Sequence, residues 1–239
     1  VDEETGHLDD LRWAYVAAAE AGGVACELAW PDDSLEDLEA ELVALPVRLG
    51  LDRLEVAPYA LRWTYWPYFA GVRHLIETEQ TGLRAAAEAL EGEPPISTER
   101  ILHPERDDPP LAVFPPDLSM RLGEAWWLER ETVLGEWTMA DWVWVLDPTR
   151  APEPGSIEYL GGGLADDLRW GGDRIQIYGD GESWLVVAWT VWDDAASARR
   201  FATLHDEPAR VLRHDRWVVV AVGPAPAPSR EVLRAGRDE

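Results

Sequence analysis

The sequence predicts an α+β protein, in which a mainly helical N-terminal part precedes a small antiparallel β-β-α-β module. Apolar residues recur at helical spacing through 1–147, a proline-rich loop interrupts that part over 91–117, and the pattern changes to alternation after residue 170. We therefore predict a helical part over 1–147, a linker over 148–169, a small α+β module over 170–223 and a proline-rich tail over 224–239.

The first helix is predicted over 9–30, and its residues are apolar on nearly every side, which is typical of a buried helix. Glu20 lies on one of these apolar faces, flanked by Val16, Ala17 and Val24. An ionised carboxylate that is buried without a partner is too costly to persist. An arginine, a set of backbone donors or a metal ion could each satisfy Glu20, and the residues leave these three alternatives open.

More helices are predicted over 35–45 and 58–90, with Pro67 at a helix start or a kink. Seven prolines in 91–117 exclude a continuous helix or a central strand there, so we expect a long connection. The tryptophan-rich segment 118–146 again predicts a helix.

The C-terminal module begins with two predicted strands, 174–178 and 184–192, joined by a glycine-containing turn. Both faces of 184–192 are apolar, which indicates a strand covered on both sides. A helix over 193–205, with Asp at its start, and a third strand over 217–222 complete the module.

The segment Gly171-Gly172-Asp173-Arg174 precedes a strand instead of opening a helix, which is the wrong context for a phosphate-binding loop. We predict a turn here. Asp173 and Arg174 are predicted structural residues, whose ion pair would set the start of the hairpin.

The composition excludes some classes of partner. The chain has 46 acidic and 21 basic residues and a formal charge of -25, which repels phosphate backbones, so we expect no nucleic-acid partner. We also expect no transmembrane segment, because no apolar run reaches about 18 residues. A carboxylate-rich surface is typical of a halophilic protein, since molar salt screens self-repulsion. The chain begins with valine, which indicates a processed, truncated or engineered N-terminus that a leader or another domain could have preceded.

Several segments together resemble a family of bacterial and haloarchaeal zincin-like metallopeptidase proteins, several of them surface proteins or lipoproteins. The similarity spans most of the chain and is carried by Glu20 in its alanine-rich helix, YWPYFAGVRHL at 65–75, PPISTERILHPER at 94–106, LGE at 134–136, WGGDR at 170–174 and TVWDDAASARRF at 190–201. The resemblance implies a zincin-like helical part, an extracellular or cell-surface location, and Glu20 as the third zinc ligand.

The chain departs from this family in lacking HExxH, the motif that supplies two zinc-binding histidines and a general base. Its five histidines include no pair spaced by four residues. We therefore assign no catalytic residue, and we expect zinc only if an HExxH helix lies upstream. The alternative is a degenerate relative that kept the scaffold and lost the metal.

The most specific part of the resemblance contains a polar group of candidate cleft residues: Glu99, His103, Glu105 and Arg106. They could line a substrate cleft. In the alternative interpretation, Ser97 or Thr98 caps a short helical turn and His103 fixes the loop by hydrogen bonding.

Two functional hypotheses follow. The first is a zinc-metallopeptidase-like surface or secreted protein without independent peptidase activity in this chain, either a pseudoenzyme or a fragment. The second is a non-catalytic binding or structural module that engages a protein or peptide partner through the former cleft or the β module. The sequence does not indicate the oligomeric state.

Overall fold

The computed structural model describes residues 9–28, 35–51, 57–78, 96–106, 109–207 and 210–224. The chain divides into two compact units. The sheet unit contains Pro109–Asp147 and Leu164–Glu239 with Val1–Asp9, and the helical unit contains Asp10–Asp108 and Pro148–Gly163. The boundaries predicted at residues 147 and 170 stay a prediction, and the tail predicted over 224–239 lies outside the described residues beyond Pro224.

Helices and strands are both present, which confirms the mixed α+β class. The helices are α1 (Asp9–Leu28), α2 (Leu35–Arg48), α3 (Pro58–Glu77), α4 (Thr98–Leu102), α5 (Ser119–Leu122), α6 (Gly135–Leu146), α7 (Ile157–Gly161) and α8 (Ala195–Thr203), with a 3-10 turn at Pro148–Arg150. The strands are β1 (Trp127–Thr132), β2 (Trp170–Gly179), β3 (Trp184–Trp192), β4 (Val211–His214) and β5 (Trp217–Val222). In the described part of the chain, no helix is long and apolar enough to cross a membrane.

The sheet unit is organised on one antiparallel sheet with the strand order β1-β2-β3-β5-β4. Strands β2, β3 and β5 contain the three predicted strands, and α8 lies within the predicted helix. Asp194 caps α8, because its side chain accepts hydrogen bonds from the backbone N–H groups of Ala196 and Ser197. The sheet has two more strands than predicted, β1 and β4.

The helix expected throughout 118–146 is wrong, because the middle of this segment forms β1. Gly123, at a φ of 131°, follows the short helix α5, and only Gly135–Leu146 forms a long helix. β1 pairs with β2 along most of its length, and its side chains are largely exposed. Backbone pairing with a neighbouring strand therefore defines this element.

One face of the sheet packs into a hydrophobic core formed by Val113, Leu118, Tyr178, Leu185, Val187, Trp189, Val191, Val219 and Ala221. On the opposite face, Phe201 of α8 packs on Trp192, with ring centroids 4.7 Å apart. Burial of β3 on both faces, as predicted, is found toward Trp192. At the other end of the strand, Trp184 is 47% exposed.

The turn predicted at 171–174 is wrong, because these residues lie within β2. The pairing register shifts between Trp170 and Gly172, as in a β-bulge. Gly172 has a φ of 150°, and a Cβ at this position would meet the carbonyl oxygen of Leu111. The glycine therefore allows both the bulge and the close approach of the 111 backbone.

In the helical unit, α1 buries one stripe and not its whole circumference. Asp10, Ala14, Ala17 and Ala21 are buried at spacings of three and four residues, whereas Tyr15 is 57% exposed. The all-round burial predicted for this helix is therefore wrong. The alanines of this helix made its exposed side look apolar in the sequence. An alanine side chain is so small that it can lie on a buried or on an exposed side.

A buried arginine connects two helices of the same unit. Arg62 of α3 is fully buried, and its Nη1 donates hydrogen bonds to the carbonyl oxygens of Tyr159, at 2.6 Å, and Gly162, at 3.0 Å. Both acceptors lie at α7, where backbone carbonyls of a short helix need partners. Gly161 also packs on the backbone of Phe69 and Ala70, so α3 and α7 are in close contact.

Candidate functional site

Glu20, the predicted metal ligand, is half-buried on α1 and has a tyrosine as its partner. The Tyr68 hydroxyl of α3 donates a hydrogen bond to the Glu20 carboxylate. The negative charge of Glu20 is the main cause that raises the pKa of Tyr68, and partial burial and the hydrogen bond add to it. A tyrosine hydroxyl is a partner that the three sequence-based alternatives did not include.

Close packing of α1 on α3 brings these two side chains together. A Cβ at Gly71 would meet the carbonyl oxygen of Ala17, and it would lie 2.7 Å from the Ala21 Cβ. Ala21 also packs with Leu75 in a small hydrophobic cluster. Glycine and alanine at the crossing therefore allow the two backbones to approach closely, which places Glu20 beside Tyr68.

Glu20 and Tyr68 supply one carboxylate and one hydroxyl, whereas a catalytic zinc ion usually has three protein ligands. Among the residues that the structure describes, no group of three histidine, cysteine, aspartate or glutamate side chains could hold a metal ion. The described residues therefore do not by themselves fit a zinc site. Zinc at Glu20 stays a prediction that depends on an upstream HExxH helix.

The candidate cleft residues lie together on α4 and the loop after it. The Ser97 side chain accepts from the Arg100 backbone N–H and caps α4, which confirms the predicted cap. Glu99 is only 3% exposed, and its Oε1 accepts from Arg106 Nη1 at 3.0 Å. This partly buried ion pair holds the loop against the helix, so two of the candidate residues have a structural role.

The other two candidates are nearer to solvent. His103 Nδ1 lies 3.6 Å from the Glu105 carboxylate, and Glu105 is exposed. The His103 backbone N–H donates to the Glu99 carbonyl and its own carbonyl accepts from Arg106, so its main chain fixes the turn. The structure thus brings all four candidates together, and the contacts it gives them hold the loop in place.

A buried aspartate anchors the start of the same helix. Asp10 is 4% exposed, and its Oδ1 accepts from both the backbone N–H and the hydroxyl of Thr98, at 2.8 and 2.6 Å. Sequence reasoning missed Asp10. The sequence contained a signal for it, because Asp10 lies on the same helical stripe as Ala14, Ala17 and Ala21. It is a second carboxylate, besides Glu20, among the small apolar residues of α1.

The structure places Asp173 and Arg174 in β2, where consecutive side chains point to opposite faces. Arg174 forms an ion pair with Glu131 at 3.0 Å, and its charge also favours the ionised form of Asp173, so the predicted pairing with Asp173 stays a prediction. Asp173 accepts hydrogen bonds from the backbone N–H groups of Leu134 and Gly135 and from Trp170 Nε1. These contacts fix the start of α6. Asp173 therefore has a structural role through backbone and tryptophan donors.

Burial raises the pKa of Asp173 to about 6, although its three hydrogen bonds and the nearby Arg174 charge oppose this shift. Asp173 is 2% exposed and lies within the packed sheet unit. A carboxyl with this pKa could move a proton near neutral pH, but the groups around it are backbone and tryptophan donors. The arrangement therefore serves to hold α6 on the sheet.

A second polar and aromatic surface lies at one end of the sheet. Trp127 of β1 and Trp184 of β3 both pair with Gly179 of β2, and they are 48% and 47% exposed. The Glu129 carboxylate occupies the space where a Cβ at Gly179 would lie. Sequence reasoning missed this surface because β1 was expected to be a helix.

No family model, curated protein or solved structure matches the chain.

Proposed function

We propose that this chain is part of a zinc-metallopeptidase-like surface or secreted protein, and that the chain alone has no peptidase activity. The observation that carries the proposal is the position of Glu20, a half-buried carboxylate on a helix whose partner, in the part of the chain that the structure describes, is the Tyr68 hydroxyl. A carboxylate supplies one zinc ligand of the three that a catalytic site usually takes from the protein.

In this proposal, an HExxH helix in the natural protein completes the site, and zinc binds only there. The residues of this chain have supporting roles: α3 holds Glu20 in place through Tyr68 and the Gly71 crossing, and α4 is held by Asp10. The resemblance stated above supplies the class of activity, and the acidic composition supports a saline environment.

The test compares the natural protein with its Glu20→Gln variant, measuring bound zinc and peptidase activity in the same samples. The expected result is one zinc per molecule in the natural protein and loss of most of that zinc in the variant, because a neutral amide is a poorer zinc ligand. A variant that retains its zinc would rule out Glu20 as a ligand. An intact reading frame without an upstream HExxH would sink the active-peptidase proposal.

A second candidate function is a non-catalytic module that binds a protein or peptide through the sheet. The specific observation in its favour is the exposed row of Trp127, Glu129 and Trp184. Tryptophan is enriched in the centres of binding interfaces and contributes strongly when it is buried by a partner. Replacing both tryptophans by alanine would abolish such binding without changing zinc content, which separates the two functions.

A further inference from the structure

Trp127, Gly179 and Trp184 lie in one row across three strands of the sheet. They are directly opposite one another in the antiparallel register, so their side-chain positions share one face. Neighbouring strands are about 4.8 Å apart, which separates the two tryptophan backbones by about 10 Å. Between them, Gly179 contributes no side chain.

The rings of the two tryptophans contact glycines at this end of the sheet. The Trp127 ring is 3.6 Å from the Cβ position of Gly181 in the hairpin turn. The Trp184 ring lies against Gly223, just after β5, with ring carbons 3.0 and 3.1 Å from its Cβ position. At the opposite end of the same face, α8 covers the sheet through the contact between Phe201 and Trp192.

The space over Gly179 holds the carboxylate of Glu129. Glu129 lies where the pairing register of β1 shifts between Leu128 and Arg130, so a bulge directs its side chain across β2. Glu129 has no ion-pair partner within the described ranges, whereas its neighbours Arg130 and Glu131 pair with Asp9 and Arg174. A carboxylate therefore lies over β2, the strand between the two that carry the half-exposed Trp127 and Trp184.

This combination attracts an organic cation. The faces of tryptophan rings carry partial negative charge and bind ammonium or guanidinium groups, with tryptophan the best aromatic partner. A guanidinium is planar, stacks on an indole and also donates two parallel hydrogen bonds to one carboxylate. The formal charge of -25 favours a cation further and disfavours any anionic ligand.

We propose that the surface formed by the side chains of Trp127, Glu129 and Trp184 binds an arginine side chain presented by a protein or peptide partner. The inference rests on the second candidate function and adds its ligand chemistry. The arginine is taken to be part of a peptide because the second candidate function is the binding of a protein or peptide, and the guanidinium alone satisfies both the carboxylate and the aromatic rings.

The experiment titrates the complete chain with an N-acetylated, C-amidated peptide that contains one arginine among glycine and serine residues. Binding is followed by the NMR shifts of the indole N–H signals of Trp127 and Trp184. Matched peptides carry citrulline, the neutral isostere of arginine, or lysine in the same place. We expect the citrulline peptide to bind at least about tenfold more weakly, because it lacks the charge that both contacts require.

Three variants test the surface itself: Trp127→Ala, Trp184→Ala and Glu129→Gln. Each is expected to weaken binding of the arginine peptide by about fivefold or more. The Glu129→Gln change keeps the side-chain shape, so it remains informative even if a tryptophan variant fails to fold. The matched controls are Trp63→Ala, an exposed tryptophan of the helical unit, and Glu153→Gln, an exposed carboxylate, both expected to bind like the wild type.

Equal affinity for the arginine and citrulline peptides would overturn the proposal, and so would unchanged binding in Glu129→Gln. If binding still depended on the two tryptophans in those cases, the second candidate function would stand with a different ligand chemistry. Absence of any shift at about 5 mM peptide, or equal weakening in the control variants, would overturn the arginine proposal, whereas the second candidate function is decided separately by the double tryptophan variant.

Discussion

Replacing Gly71 by alanine is expected to destabilise the helical unit, because no space exists for the added methyl group. A Cβ at this position meets the carbonyl oxygen of Ala17, which is backbone, and lies 2.7 Å from the Ala21 Cβ. Neither contact can be relieved by a rotating side chain, so α1 and α3 must separate. Overpacking of this kind costs about 1–3 kcal/mol.

Gly23 provides a matched control on α1. It is exposed, and a Cβ there has no heavy atom within 4 Å. Because alanine in a helix interior is more favourable than glycine by about 0.5–1 kcal/mol, Gly23→Ala should stabilise the chain. The same glycine-to-alanine change is thus expected to destabilise the chain at Gly71 and to stabilise it at Gly23, with free energies of unfolding that differ by about 1.5–4 kcal/mol.

Urea denaturation, followed by fluorescence and circular dichroism, measures both variants. A second measurement is the pKa of Tyr68, which Glu20 raises. Separation of α1 from α3 in Gly71→Ala should bring this pKa closer to the ordinary tyrosine value, whereas Gly23→Ala should leave it unchanged. A Gly71→Ala protein as stable as the wild type, with the Tyr68 pKa unaltered, would refute the close helix crossing.

Three other predictions concern charge and capping. Glu20→Gln should lower the pKa of Tyr68, because it removes the main cause of the increase; a Tyr68 resonance that titrates as in the wild type would exclude the contact. Burial raises the pKa of Asp173 to about 6, so the folded chain holds this proton more tightly than the unfolded chain. The wild type should therefore lose roughly 3 kcal/mol of stability relative to Asp173→Asn as the pH rises from about 3 to 7, and a pH-independent difference in chemical denaturation would contradict this sign. Ser97→Ala should cost about 1 kcal/mol by removing the cap of α4, and a variant as stable as the wild type in the same assay would contradict the cap.

The strands that sequence patterns predicted are the central ones, and the two missed strands lie at the sheet edges. β2, β3 and β5 bury most of their side chains, so their residues show the apolar pattern of strands. β1 and β4 are mostly exposed and pair on one side only. Their position is set by backbone hydrogen bonds to a neighbour, which leave no hydrophobic period in the sequence.

The candidate site was predictable only in its local parts. The Ser97 cap and the polar group around Glu99 are contained within a few residues, and both are found in the structure. The partner of Glu20 lies 48 positions away on another helix, and its approach depends on a glycine at the crossing. The Glu129 surface depends on a bulge in an edge strand, so no sequence spacing indicated it.

The measurement that tests the central claim most directly is the intact mass of the natural protein together with its zinc content per chain. A mass greater than this chain by at least one helix, with about one zinc per molecule that Glu20→Gln removes, is the predicted result. A mass that matches Val1–Glu239 without bound zinc would contradict the peptidase account. Glu20 and Tyr68 would then be a structural pair, and the tryptophan surface of the sheet would be the place to look for function.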